Sequence, residues 1–327
     1  QEVIEDLNET IVIYPDYGDA YSLRGSAKSK IGLYEFNQGN AEEAQRMYAA
    51  SIEDYAEAIN LEPNDFKIYY NRGLMKSDNL KSYVKQGDNE DLRRLYQEAI
   101  SDFTMVIQLE PNYPNAYHYR SWLKSELANF EEKIRHKEVA LTLYKDAFVD
   151  LTKLIELRPK FEDAYSDRGW VSGNIGRLNA MAGNKEVARH KLIAAIEDCI
   201  QAIHINPDYA FAYNHRGWAS YQLGIAENFF GQLDNSQELY ANALMDIEKS
   251  IQLDSNNAYA FQYRGLTNVA LGNLQEAIVD FDRAIQINPK YAEAYYERAH
   301  AKEALGRKEE AKADFEKAKE LDPYVME

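Results

Sequence analysis

The sequence predicts an all-α protein, a solenoid of stacked antiparallel helix pairs. Three observations carry that prediction. Seven of the eight prolines stand at 15, 63, 111, 159, 207, 289 and 323, which is four steps of 48, one of 82 and one of 34. Seven arginines (Arg24, Arg72, Arg120, Arg168, Arg216, Arg264 and Arg298) step by 48 five times and then by 34. No segment sustains the period-two alternation that a half-buried strand needs. Ser255 fills the missing proline step, and Pro114 alone lies outside the series. Self-similarity at a fixed period marks an array whose units cannot bury a core alone and must stack on their neighbours.

The elements follow in chain order. Residues 1–15 read as the second helix of a truncated repeat, 16–255 as five repeats of 48, 256–323 as two repeats of 34, and 324–327 as a tail. Five of the seven repeats open their first helix near an Ala-Tyr pair (Ala20-Tyr21, Ala116-Tyr117, Ala164-Tyr165, Ala212-Tyr213 and Ala294-Tyr295). That helix runs through the arginine and stops at a glycine-containing turn: Gly39, Gly87, Gly183, Gly231, Gly272 or Gly306. Glycine suits a helix C-terminus because it adopts the left-handed conformation there at little cost. The third repeat has Arg135 at this position, so its turn lacks the glycine signal. The second helix carries apolar residues at helical spacing, as in Ile196, Cys199, Ile200 and Ile203. It ends at the proline, which has no N–H to continue the ladder. The long repeat exceeds the short one by seven residues in each helix, about two turns, which keeps the same faces inward.

Composition narrows the function. The 327 residues are 45% hydrophobic with only 16 Gly, so the chain can build a core of real size. A formal net charge of −17 argues against nucleic acid as a partner in electrostatic terms. No apolar run approaches the length needed to insert in a membrane. One cysteine, Cys199, excludes an internal disulfide framework, and six scattered histidines show no metal-ligand spacing. Cys199 takes the place that Phe103, Phe281 and Phe315 hold in other repeats, which reads as core rather than nucleophile. No glycine-rich phosphate loop is present. The sequence therefore predicts no enzyme, no cofactor and no metal.

The segment Asn-Leu-Gln-Glu-Ala-Ile-Val-Asp-Phe-Asp-Arg-Ala-Ile-Gln-Ile-Asn-Pro at 273–289 resembles the tetratricopeptide repeat (TPR), with Ala277, Phe281, Ala284 and Pro289 matching its small, aromatic, small and proline positions. The Tyr-x-x-Arg-Gly opening resembles a common variant of that family's first helix. The resemblance runs through the whole chain; the 48-residue period departs from it by two turns per helix. It implies a right-handed superhelix that binds a protein or peptide in its concave groove and performs no chemistry.

Each arginine has an aspartate on the following helix, at Asp54, Asp102, Asp150, Asp198, Asp246, Asp280 and Asp314. These read as structural ion pairs that fix the two helices of a repeat. Trp122, Trp170 and Trp218 each stand two residues after the arginine of repeats three to five. By the resemblance, that site faces the groove, so the tryptophans form a candidate ladder of anchors, with Tyr70, His118, Asn214 and Tyr221 beside them. The competing reading is that Trp fills space left by the longer helices. Repeats three and four carry net charges of +1 and 0, against −5 each for repeats one and five. The groove residues around the tryptophans, Phe211 among them, are mostly uncharged. Together with the lack of a Lys-x3-Asn pair at the equivalent sites, this favours an extended amphipathic or aromatic segment over an acidic tail.

Two sites on the second helices stay large and apolar through repeats one to six, from Ile52 and Ile59 to Ile278 and Ile285, and become Lys312 and Lys319 in the last. Such a polar outer face is what a terminal repeat needs. At the other end Ile4 and Ile11 keep the apolar sites, so residues 1–15 offer a surface for self-association, and the chain reads as a fragment of a longer array. An alternative function is a targeting arm of a larger enzyme whose catalytic domain lies upstream.

Overall fold

The structure is a computed structural model that describes residues 2–83 and 89–325. Among these residues it contains fifteen α-helices and no strand. They are α1 (Glu2–Ile13), α2 (Gly18–Asn37), α3 (Ala41–Leu61), α4 (Phe66–Tyr83), α5 (Asn89–Leu109), α6 (Pro114–Lys133), α7 (Lys137–Leu157) and α8 (Glu162–Met181). There follow α9 (Lys185–Ile205), α10 (Ala210–Phe229), α11 (Leu233–Leu253), α12 (Ala258–Ala270), α13 (Leu274–Ile287), α14 (Ala292–Ala304) and α15 (Lys308–Leu321). None of them is long and apolar enough to cross a membrane.

The chain divides into two compact bodies, Gln1–Leu127 and Ala128–Glu327. Within the first, α2 pairs with α3 and α4 with α5, while α2 also touches α4. In the second, α8 pairs with α9, α10 with α11, α12 with α13 and α14 with α15. There the first helices α8, α10, α12 and α14 also touch one another in sequence. Within each body, first helices thus make one layer and second helices the other, the two-layer solution open to amphipathic helices. The result is an all-α solenoid of helix pairs.

The helix ends follow from local chemistry. α3, α5, α7, α9 and α13 each stop two residues before a proline. At the other turn, Gly39, Gly183, Gly231, Gly272 and Gly306 all take positive φ. In the first of these turns the N–H of Asn40 reaches back to the Glu35 carbonyl and that of Gly39 to Phe36. This doubly bonded C-cap satisfies carbonyls that the helix end leaves open. The third repeat uses the same turn without glycine. Arg135 sits at φ 69, and His136 and Arg135 donate to Glu131 and Glu132 in the same pattern. Gly87 lies outside the described residues.

Tyrosine outnumbers phenylalanine by 25 to 12 for a local reason. The hydroxyls of Tyr69, Tyr117, Tyr165, Tyr213 and Tyr295 donate to the carbonyls of Pro63, Pro111, Pro159, Pro207 and Pro289, at 3.0–3.4 Å. The same rings lie 5.3–5.8 Å from the guanidinium groups of Arg72, Arg120, Arg168, Arg216 and Arg298. Within each body the guanidinium is held in turn by the aspartate of the next helix. Arg24–Asp54, Arg72–Asp102, Arg168–Asp198, Arg216–Asp246, Arg264–Asp280 and Arg298–Asp314 lie at 2.5–2.6 Å. Arg120 and Asp150 belong to different bodies. A single chain of contacts therefore ties the proline turn, the first helix and the second helix of a repeat together.

Candidate partner-binding surfaces

In the N-terminal body, Tyr70 is half-buried on α4 within a cluster of rings. Tyr113 lies 5.2 Å from it, Phe103 5.8 Å and Tyr119 5.9 Å. Phe103 and Tyr119 stack at 5.4 Å with their planes 9° apart. Burial drives the Tyr70 hydroxyl well above its ordinary pKa, with the neighbouring tyrosines adding to the shift. His118 adjoins the cluster through Tyr119, at 5.8 Å. Trp122, one turn further along α6, remains 40% exposed.

The C-terminal body treats its two tryptophans differently. Trp218 is 5% exposed. Its ring lies so close over the Gly173 backbone of α8 that a Cβ there would clash with it. Trp218 thus packs first helix to first helix and leaves a partner little surface. Asn214 is likewise 3% exposed, and its Oδ1 accepts no hydrogen bond. Trp170 is half-buried, with Tyr144 at 5.9 Å and His215 at 6.5 Å. Tyr221 is half-buried beside Tyr240, at 6.0 Å. Desolvation raises the Tyr221 hydroxyl, and the Glu297 carboxylate contributes further.

Two rings are more exposed than any of these, Phe211 at 49% and Tyr259 at 57%. The sequence places Phe211 among the groove residues around the tryptophans, and the periodicity could have found Tyr259 too, since it stands 48 residues after Phe211 at the same place in its first helix. Arg177 lies close to this surface, and its Nη2 donates to Glu132 at 2.6 Å and Asn174 at 3.0 Å. Arg177 is thereby neutralised. His215 is held by Ser166, and desolvation lowers its pKa.

Groups with chemical potential elsewhere are accounted for by structure. Cys199 is fully buried, and burial pushes its thiol far above the range in which it ionises. Such a group has neither the thiolate character nor the access that a nucleophile requires. His136 bonds the buried Glu131 at 2.8 Å. Among the described residues one trio of carboxylates, Asp19, Glu62 and Asp65, converges in the N-terminal body. Asp65 caps the start of α4 by accepting from the Lys67 N–H.

Two family profiles match the chain, a TPR repeat over residues 267–306 and a tetratricopeptide repeat over residues 292–324. No curated protein matches it. Among solved structures, the thermophilic TPR protein TTC0263 of Thermus thermophilus is 17% identical with a TM-score of 0.48. The alignment covers 69% of this chain and 98% of that one. YrrB, described as a TPR protein with an unusual peptide-binding site, is 19% identical over 68% of this chain and 94% of its own, with a TM-score of 0.33. MamA is 25% identical over 63% of this chain and 96% of its own, with a TM-score of 0.34. With TM-scores below 0.5, none of the three says what this chain binds.

Proposed function

We propose that this chain, a protein of tetratricopeptide repeats, is a non-catalytic scaffold that holds an extended segment of a partner protein against its first helices. The observation that carries the reading is the set of exposed rings that first helices present in each body: Trp122 in the N-terminal one, and separately Phe211, Tyr259 and half-buried Trp170 in the C-terminal one. Large rings left to solvent on a rigid scaffold bring much contact area at little conformational cost. Tryptophan and tyrosine are enriched among binding hot spots, where truncation often removes about 2 kcal/mol or more. Of the tryptophans, Trp122 and Trp170 are the anchors. Trp218 supports the surface from beneath.

The test is affinity purification from native lysate with wild type beside a Trp122→Ala/Trp170→Ala variant, both checked for helicity by circular dichroism. Proteins retained by wild type and lost by the folded variant support the first-helix surface. Equal retention by both removes it. Trp218 is left intact because its loss would open a cavity above Gly173 and confuse stability with binding.

A second reading, self-association, is favoured by α1, which buries none of its residues and leaves Val3 60% and Val12 82% exposed. Light scattering on wild type and Val3→Glu/Val12→Glu separates the two. A dimer that dissociates in the variant supports self-association, and a monomer in both rejects it.

A further inference from the structure

The first helices of the C-terminal body carry two parallel rows of one composition. Asp163, Phe211, Tyr259 and Glu293 form the first row; Asp167, His215, Tyr263 and Glu297 form the second. Successive members stand 48, 48 and 34 residues apart, so each row takes one residue from α8, α10, α12 and α14. The two rows are offset by four residues and therefore share one helical face. Those four helices touch in sequence, so each row runs continuously across the body. In both rows a carboxylate stands at each end and two rings stand between.

The rings form two runs along this face. Tyr209 lies 5.8 Å from Phe211, Phe211 6.3 Å from His215, and His215 6.5 Å from Trp170. On the other side Tyr291 lies 5.3 Å from Tyr259, Tyr259 6.5 Å from Tyr263, and Tyr263 6.3 Å from Trp218. Neither row contains a lysine or arginine. Asp163 accepts from the Tyr209 hydroxyl, a neutral donor that leaves the carboxylate its charge. Two cations near this face are engaged: Arg177 serves Glu132, and Lys133 pairs with Asp322 while reaching Glu293 only at 4.0 Å. Burial lifts the Glu297 carboxyl to about 7.

We propose that this face binds a basic, extended segment of a partner, with lysine or arginine side chains laid over the Phe211 and Tyr259 rings and paired with the carboxylates at both ends. The proposal rests on the scaffold reading above and gives its partner a chemistry. A ring face attracts a cation by about 0.5–2 kcal/mol, depending on desolvation. A carboxylate within reach adds a charge-assisted hydrogen bond. An acidic segment would meet the carboxylates of both rows, and an uncharged one would leave them without a counter-charge. The net charge of −17 favours the encounter at long range. Neighbouring helix axes lie about 8–10 Å apart, so α8 to α14 spans roughly 25–30 Å. At about 3.3 Å per residue that is an extended stretch of about eight residues, with its basic side chains concentrated toward the two ends.

The experiment is selection of peptides of about twelve random residues, a little longer than that span, on the immobilised whole chain. Three baits are compared: wild type, Glu293→Gln/Glu297→Gln, and Phe211→Ala/Trp170→Ala, each verified as helical. The expected result is enrichment of lysine and arginine on wild type. The most enriched peptide then binds the Gln variant about tenfold more weakly, with a shallower salt dependence. Enrichment of uncharged or acidic peptides that need Phe211 and Trp170 would overturn the basic partner and leave the groove reading standing. Absence of any enrichment over empty matrix would overturn both.

Discussion

At the residue scale, the Arg–Asp pair couples the two helices of a repeat, and its weight follows from burial. The Asp102 side chain is 3% exposed, accepts Arg72 at 2.5 Å and also meets Lys76 at 2.9 Å. Asp102→Ala strands both cations in a half-dry setting and is expected to cost about 3 kcal/mol in chemical denaturation. Asp282 meets Arg298 at 2.6 Å but is 54% exposed, so Asp282→Ala is expected to cost less than about 1 kcal/mol. Equal losses would contradict the burial argument. Glu297 gives a pH-dependent counterpart. Its folded carboxyl titrates near 7 against an ordinary 4.5, because burial penalises the charge. Between those values the folded chain keeps a proton that the unfolded chain has released, so stability falls as pH rises through this window. Glu297→Gln should therefore raise the melting temperature at pH 8, by the equivalent of about 2 kcal/mol or less, and leave it unchanged at about pH 4. The pairing of Arg with Asp was legible in the sequence because both recur at the repeat period. That a tryptophan fills space is one of the two readings the sequence offers; which of the three does so was not legible, because the burial of Trp218 depends on Gly173 in the preceding repeat, and a glycine says nothing of the ring that covers it.

At the scale of the element, the proline register places the ends of the second helices, and the glycines place the turns after the first. Arg135 shows what that register cannot convey. Backbone hydrogen bonds define the turn, so a non-glycine residue is carried into the left-handed region at a cost of roughly 1–2 kcal/mol. Arg135→Gly removes that strain but loosens the unfolded chain, and the balance predicts a net gain of about 0.5–1 kcal/mol. A loss of stability would mean that Arg135 makes a side-chain interaction worth more than the strain. The α8–α10 contact invites the opposite experiment. Gly173→Ala gains about 1 kcal/mol of helix propensity, yet drives the new methyl into the Trp218 ring. Overpacking in a tight core costs about 1–3 kcal/mol, so Gly173→Ala is expected to be destabilising and to shift the tryptophan fluorescence.

At the scale of the whole molecule, the repeat period sets what can be removed. In a linear array, stability is close to a sum over repeats and their interfaces, so an excision of one period in phase should be tolerated. Two such excisions of 48 residues differ in the neighbours they join. Removing residues 160–207 brings α10, of 20 residues, to the place of α8, also of 20. Removing residues 208–255 sets α9, of 21 residues, beside α12, of 13. The second excision takes away Leu223 and Ala226, which cover Leu192 and pack with Ile196, and the shorter α12 lacks the two turns that carried them. Each excision deletes one complete Arg–Asp pair, Arg168–Asp198 in the first and Arg216–Asp246 in the second; the first also takes Arg177 from Glu132 and Arg189 from the buried Glu227, so it is made together with Glu132→Gln/Glu227→Gln to leave no buried charge unpaired. The difference is then apolar. Uncovering Leu192 and Ile196 costs about 1.5–3 kcal/mol for each side chain fully exposed. The chain lacking 208–255 should thus unfold at a lower guanidinium concentration than the chain lacking 160–207, by the equivalent of about 3 kcal/mol, with helicity per residue nearly equal in both. Equal midpoints would mean that helix length is not matched between neighbours, and that the step from 48 to 34 residues could sit anywhere in the array.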